Sequence, residues 1–276
     1  MATEPLFSIF GRGVYAYGIC IGVGILACLM VFFFYTNKKK INSSVQNFAF
    51  IVALVAIVLG FLIAKLYQAL YNYVENPSLG FDFENAGMTA MGGFIGGAIV
   101  FIAVYFGIGH FVFRGNNKGV HIKDFNKIFL VAPICITIAH AFGRIGCLMS
   151  GCCHGALLST EESVVGGIWM KASDTGIWGS YVPTQLYEAL FLFVLFAVLT
   201  LLFFKGSNIT MAIYLIAYGV WRIFIEMLRT DARGAVVLGL APSQWQSIIF
   251  IVGGALLILL YYLLKKPFVL KDDDKK

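Results

Sequence analysis

Residues 140–155 read HAFGRIGCLMSGCCHG, which sets one arginine, two histidines and three cysteines at the end of an apolar stretch. His140, Arg144 and Cys147 fall at i, i+4 and i+7, one face of a helix. Further along, Tyr218, Arg222, Glu226 and Arg229 repeat that spacing, and Gln185 and Glu188 sit three apart beside Tyr187. Ionisable residues within a bilayer cost about 2.5–3.5 kcal/mol each on insertion scales, so they face a bundle interior and act there. Arg222 and Glu226 are spaced for an intrahelical ion pair, and Lys65 is a candidate partner for Glu188. That leaves Arg144 and Arg229 as surplus guanidinium groups. Guanidinium binds phosphate through paired, charge-assisted hydrogen bonds, stronger where water is excluded. The rows therefore point to a pocket for a phospholipid headgroup.

The cysteines allow several chemistries. Cys147, Cys152, Cys153 and His154 are ligand types suited to zinc, but the spacing C-x4-C-C-H is no standard zinc pattern, and no metal or other cofactor is expected. A disulfide from Cys147 to Cys152 or Cys153, a redox dithiol, a thiol that transiently carries a transferred group, or small residues that simply fill space all remain open. Cys20, Cys28 and Cys135 lie in apolar runs and read as packing residues.

The elements that must carry these groups are membrane helices. The 276 residues are 60% hydrophobic and only 12% charged, where a soluble domain carries roughly 25% charged residues. Apolar runs of about twenty residues predict an all-α, polytopic membrane protein, and the alternation of a membrane barrel is absent. We read about seven spans: Val14–Thr36, Gln46–Leu66, Met88–Phe113, Lys127–Phe142, Thr184–Phe204, Ile209–Met227 and Gln244–Leu264. The whole chain, 1–276, reads as one integral-membrane domain without a cleavable signal peptide. A long loop spans about 144–183 and reads equally as a lid or a passive cap. GGFIGG sets Gly92/Gly96 and Gly93/Gly97 at GxxxG spacing, and Gly18/Gly22 repeats it, as close helix packing requires.

Charge orients the spans. Lys38–Lys40, Arg114, Lys118, Lys123, Lys127, Lys205, Lys265, Lys266, Lys271, Lys275 and Lys276 make thirteen of the twenty Lys and Arg residues, all on one set of loops. The positive-inside rule then puts the N-terminus outside and the C-terminus in the cytoplasm, with the polar rows towards the outer leaflet. The net charge of +6 follows this topology, and no nucleic-acid partner is expected.

At GRIGCLMSGCCHG the chain resembles the prolipoprotein diacylglyceryl transferase family, whose signature runs G-R-x-G-N-F-x-N-x-E-x-x-G. PTQLYEA, YGVWRIFIEMLRTDA, PSQWQS, YAYGICIG and GMTAMGGFIGG correspond to further family segments in order. The resemblance implies a multi-pass enzyme of the bacterial cell membrane. It would transfer the diacylglyceryl group of phosphatidylglycerol to the lipobox cysteine thiol of a prolipoprotein signal peptide, releasing glycerol phosphate. It implies that Arg144 holds the phosphate and Arg229 lies near the headgroup and the departing group. Tyr17, Gln185, Tyr187, Tyr218, Arg222 and Glu226 then fall among the substrate-binding positions. Gly143, Gly146 and Gly155 keep the signature glycines. The two signature asparagines are Cys147 and Ser150 here, its glutamate is Cys152, and a family histidine is Met91. The arginines thus survive while several neighbours that orient groups or accept protons do not. His140, His154 and Glu188 are the candidates for the base that activates an incoming thiol. The alternatives are a diverged member with another acceptor, a membrane thiol oxidoreductase using Cys147, Cys152 and Cys153, and a protein that binds lipid without chemistry.

Overall fold

The computed structural model describes residues 5–230 and 240–263. Seven α-helices carry the described chain: α1 (Ala16–Lys38), α2 (Ser43–Glu75), α3 (Ala90–Val112), α4 (Val120–Ser150), α5 (Thr184–Phe204), α6 (Thr210–Glu226) and α7 (Pro242–Leu263). Five short strands accompany them: β1 (Phe7–Ile9), β2 (Arg12–Val14), β3 (Leu157–Ser159), β4 (Ile168–Lys171) and β5 (Trp178–Tyr181). All the helices except α6 are long and apolar enough to cross a bilayer, so the all-α polytopic expectation is met. Helix α6, the expected sixth span, has 17 residues, about 25 Å of helix against a hydrocarbon core of about 30 Å. Its last turns carry Arg222 and Glu226, which shortens its apolar part.

Two spans run further than hydropathy suggests. Helix α2 has 33 residues and continues to Glu75, so Lys65 lies within the helix and does not end it. Helix α4 has 31 residues and continues past Phe142 to Ser150, carrying Arg144 and Cys147. Pro133 sits inside α4 without breaking it, and the Thr137 hydroxyl donates to the Pro133 carbonyl at 2.6 Å. The side chain of Met91 and the lysine-rich tail from Lys265 lie outside the described residues.

The chain packs as two compact units, Met1–Tyr35 with Ile128–Lys276, and Thr36–Lys127. In the second unit, α2 and α3 meet along small residues. A Cβ added at Gly60 would lie 3.2 Å from the Gly93 carbonyl oxygen and 3.4 Å from Gly97 Cα, while Gly92 faces Tyr67 and Gly96 faces Ile63. Both glycine rows of GGFIGG are therefore packing rows. A Cβ added at Gly18 or Gly22, by contrast, would meet no atom within 4 Å among the described residues, so their spacing does not mark a contact there. Because the neighbours of Gly60 are backbone and cannot swing aside, Gly60→Val is expected to destabilise the α2–α3 pair by about 1–3 kcal/mol. Thermal unfolding in detergent reads this as a lower Tm.

In the first unit, α1 packs on α4 at Gly24, which faces the Ala139 carbonyl and Phe142. Tyr35 stacks on Phe203 of α5 with ring centroids 4.9 Å apart. Helix α6 meets α7 at Gly219 against Ser247 and at Gly254 against Ala212, and the Thr210 hydroxyl donates to the Leu130 carbonyl of α4 at 2.9 Å. The segment between α4 and α5 starts at Gly151, later than expected, and is not an open loop. Strands β3, β5 and β4 form an antiparallel sheet with β5 central, Ile168 opposite Tyr181 and Lys171 opposite Trp178. Met170, Ala172 and Tyr181 of this segment bury themselves against Leu148 of α4, which fixes the sheet to the helix end that carries the polar row.

Candidate active site

Glu188, on the first turns of α5, is fully buried and organises the polar cluster. Its Oε1 lies 3.0 Å from Arg144 Nη2 and accepts from the Tyr218 hydroxyl at 3.1 Å. Its Oε2 lies 3.8 Å from Arg222 Nη1, and Arg222 Nη2 reaches Glu226 Oε2 at 3.0 Å. Arg144 Nε donates to His140 Nε2 at 3.3 Å, and His140 Nε2 is 3.8 Å from Glu188 Oε1. The His140 and Tyr218 rings meet edge to face at 5.2 Å. Helices α4 and α6 thus contribute their rows, and α5 contributes Glu188, to one ion-pair network. Such a network is tolerable away from water because every charge in it meets an opposite charge or a hydrogen bond.

This geometry corrects one expectation. Arg144 is not a spare cation, since Glu188 is its partner. Within its own unit, the Lys65 ammonium stands over the Phe83 ring at 5.1 Å. The Arg222–Glu226 pair forms as the spacing predicts. Glu188 and His140 engage Nη2 and Nε of Arg144, out of the five N–H donors a guanidinium carries. Arg229 follows the end of α6, where its backbone bridges to Gly155. Its charge acts on Glu188 and Cys153, as does that of Arg144. The two arginines thus bear on the same pair of groups.

The other candidates fall around this network. Tyr17 of α1 comes close to α4 at Gly146, where an added Cβ would touch its ring at 3.1 Å, and its phenol feels Cys147, Cys152, Cys153 and Arg144. Gln185 is fully buried and its Nε2 donates to the Cys152 carbonyl at 2.6 Å. Tyr187 is half-buried on α5, about 100° around the helix from its neighbour Glu188. His154 directs Nδ1 to the Gly155 carbonyl at 2.9 Å and Nε2 to Asp174 Oδ1 at 3.1 Å, with its ring against Tyr181. Burial pushes Asp174 up, but hydrogen bonds from His154 and the Thr175 N–H outweigh it and hold the carboxyl below its usual range. His154 therefore ties the sheet to the motif. Asp174 and Thr184, whose hydroxyl donates to the Cys153 carbonyl at 2.6 Å, were not singled out from the sequence.

Cys147, Cys152 and Cys153 are all free thiols, half-buried, with sulfur atoms within 4.8 Å of one another. Hydrogen bonds from Cys147 and Cys152, then the Arg229 and Arg144 charges, hold the Cys153 thiol well below its usual range.

Residues 4–260 match the family model described as prolipoprotein diacylglyceryl transferase. The chain belongs to that family. Among its relatives, a phosphatidylglycerol–prolipoprotein diacylglyceryl transferase 2 of Clostridium perfringens is 35% identical over 254 residues, 90% of this chain and 91% of that protein. Phosphatidylglycerol–prolipoprotein diacylglyceryl transferases of Clostridium tetani (32% identical, 90% of this chain and 93% of that protein) and Dehalococcoides mccartyi strain BAV1 (31%, 90% of both) are also similar. Family membership and the apolar helices together make this a multi-pass bacterial membrane protein.

The signature glycine Gly155 has a local reason. A Cβ there would collide with the Leu228 carbonyl and press on Val182 and Thr184. Gly155→Val is therefore expected to push residues 228–229 off the motif and misplace Arg229. The transfer rate should fall about 100-fold, the scale that a 1 Å misplacement sets, with the melting temperature measured beside it.

Proposed function

We propose that the protein transfers the diacylglyceryl group of phosphatidylglycerol to the lipobox cysteine thiol of a prolipoprotein signal peptide, at a site facing the outer leaflet. The observation that carries this reading is the position of Arg144. It is fixed on one side by Glu188 and His140, with donors left over, and Arg229 acts on the same neighbours. The names of the relatives support the substrates.

In this reading Arg144 and Arg229 hold the phosphate diester and stabilise the charge that grows on it as the glyceryl C–O bond breaks. Glu188, His140, Arg222 and Glu226 position Arg144, and Tyr218 fixes Glu188. Tyr17 lines the approach beside the thiols. The acceptor sulfur attacks the glyceryl carbon that bears the phosphate, a thioether forms, and glycerol phosphate departs. The lysine-rich loops support an external N-terminus and a cytoplasmic C-terminus.

The test uses purified protein, phosphatidylglycerol labelled in its acyl chains and in its headgroup, and a lipobox peptide. The expected result is a labelled thioether peptide and an equal amount of labelled glycerol phosphate, both lost in Arg144→Ala. Lipid binding without either product would contradict it. A peptide disulfide in place of a thioether would favour the thiol oxidoreductase.

A further inference from the structure

We infer that Cys147, Cys152 and Cys153 form a three-sulfur site for a soft divalent cation, zinc foremost, whose fourth coordination position takes the acceptor thiol. The role of the fourth position rests on the transferase reading; the metal site does not.

The geometry comes first. The three sulfur atoms lie within 4.8 Å of one another. Zinc bound about 2.3 Å from each of three thiolates sets them about 3.8–4.0 Å apart. The sulfurs therefore need to close by about 1 Å or less, and the Cys152 thiol already donates to the Cys147 carbonyl at 3.7 Å.

The backbone under them is built. Cys147 is in the last turn of α4, and its carbonyl accepts from the Cys152 N–H at 3.1 Å. Gly151 turns the chain at φ 69°, where a side chain would strike the Lys171 carbonyl. Cys153 itself adopts φ 64°, a strained conformation for any residue but glycine, and one that persists only where its surroundings impose it. Here they do. Gln185 and Thr184, at the start of α5, clamp the Cys152 and Cys153 carbonyls at 2.6 Å each. A helix end, a left-handed turn and a second helix thus aim three thiols at one point.

Charge and chemistry agree. Three thiolates and a divalent cation carry one net negative charge, and a fourth thiolate makes two. Arg144 lies one helical turn before Cys147 on α4, and the backbone of Arg229 bridges to Gly155, two residues after Cys153, so both charges are placed to offset them. Three protein ligands with one open position is the arrangement of catalytic zinc, and a thiol that coordinates such an ion is deprotonated outright. The site also fills a gap in the proton chemistry, because the three candidate bases are engaged. His140 Nε2 accepts from Arg144, both His154 nitrogens face acceptors, and Glu188 binds Arg144 and Tyr218.

The step balances without redox change. The acceptor S–H gives its proton to solvent on binding. The sulfur electron pair then forms the S–C bond to the glyceryl carbon. The C–O bond breaks with its pair left on the phosphate oxygen, whose charge Arg144 and Arg229 offset, and glycerol phosphate leaves. The cation stays divalent.

Cobalt is the spectroscopic probe. Metal-free protein in detergent is titrated with Co2+, and the sulfur-to-cobalt charge-transfer band and visible d–d bands are followed. Expected are a thiolate-rich, four-coordinate spectrum and at least about tenfold weaker binding in Cys152→Ser and in Cys153→Ser. Cys135→Ser, away from the cluster, should behave as wild type, and metal-free melting curves check that each variant is folded. A cysteine lipobox peptide should shift the d–d bands, while its serine counterpart should not. Stripping metal should abolish transfer, and Zn2+ should restore it. Absence of cobalt binding, equal binding in Cys152→Ser, a spectrum indifferent to the cysteine peptide, or full transfer after stripping would each overturn the inference. If the cobalt site forms and answers the peptide but no thioether is made from phosphatidylglycerol, the metal site stands and the transferase reading fails.

Discussion

Replacing Glu188 with alanine is expected to abolish transfer and to destabilise the helix bundle by about 3–5 kcal/mol, the scale for breaking a buried ion pair by removing one partner. Glu188 is the carboxylate that Arg144 and Arg222 share, and it is fully buried. Its loss takes from Arg144 its carboxylate partner, leaving the contact with His140, and turns Arg222 onto Glu226. It also strands the Tyr218 hydroxyl, whose acceptor it is. Glu188→Gln separates the two effects. The amide keeps an acceptor for Tyr218 and nearly the same volume, so it should melt closer to wild type than Glu188→Ala while transferring as poorly. Detergent melting curves and the labelled-lipid assay measure the two sides, and a Glu188→Gln enzyme of normal rate would remove Glu188 from the account.

Arg144→Lys is expected to lower the transfer rate by about 10²–10³-fold, the loss that follows removal of one donor aimed at developing charge. Lysine keeps the positive charge, so the bundle should stay folded. It cannot keep the fork, because one ammonium cannot at once satisfy Glu188 and His140 and reach a phosphate. The comparison with Glu188→Ala is informative: Arg144→Lys should cost activity with little stability, whereas Glu188→Ala should cost both. A lysine variant within about threefold of wild type would mean that charge alone suffices at this position.

How much of this was legible in the sequence follows from the physics of each element. The apolar runs and the i, i+4, i+7 rows were plain, because helical periodicity is local. The Arg222–Glu226 pair was readable for the same reason. The row on α4 was legible but the end of its span was set short, at Phe142, because hydropathy falls at Arg144, and Glu188, 44 positions on, helps make that charge tolerable inside a helix bundle. The partners that Glu188 does take, Arg144, Arg222 and Tyr218, were not legible, because spacing on separate helices says nothing about which rows face. The sheet under the motif was missed because its strands have three or four residues, too few for alternation to register, and the glycines and serines around them read as loop. The His154–Asp174 tie spans twenty residues of that segment and has no local signature. Family resemblance located the arginines, but it did not tell that three cysteines would meet.

The most direct test of the central claim is equilibrium binding of short-chain phosphatidylglycerol, competed by a diacylglycerol of the same chains that lacks the phosphate. The account predicts that diacylglycerol competes at least about tenfold more weakly, and that this preference vanishes in Arg144→Ala and in Arg229→Ala. Equal competition by the two lipids in the wild-type protein, or a preference unchanged by both substitutions, would contradict it.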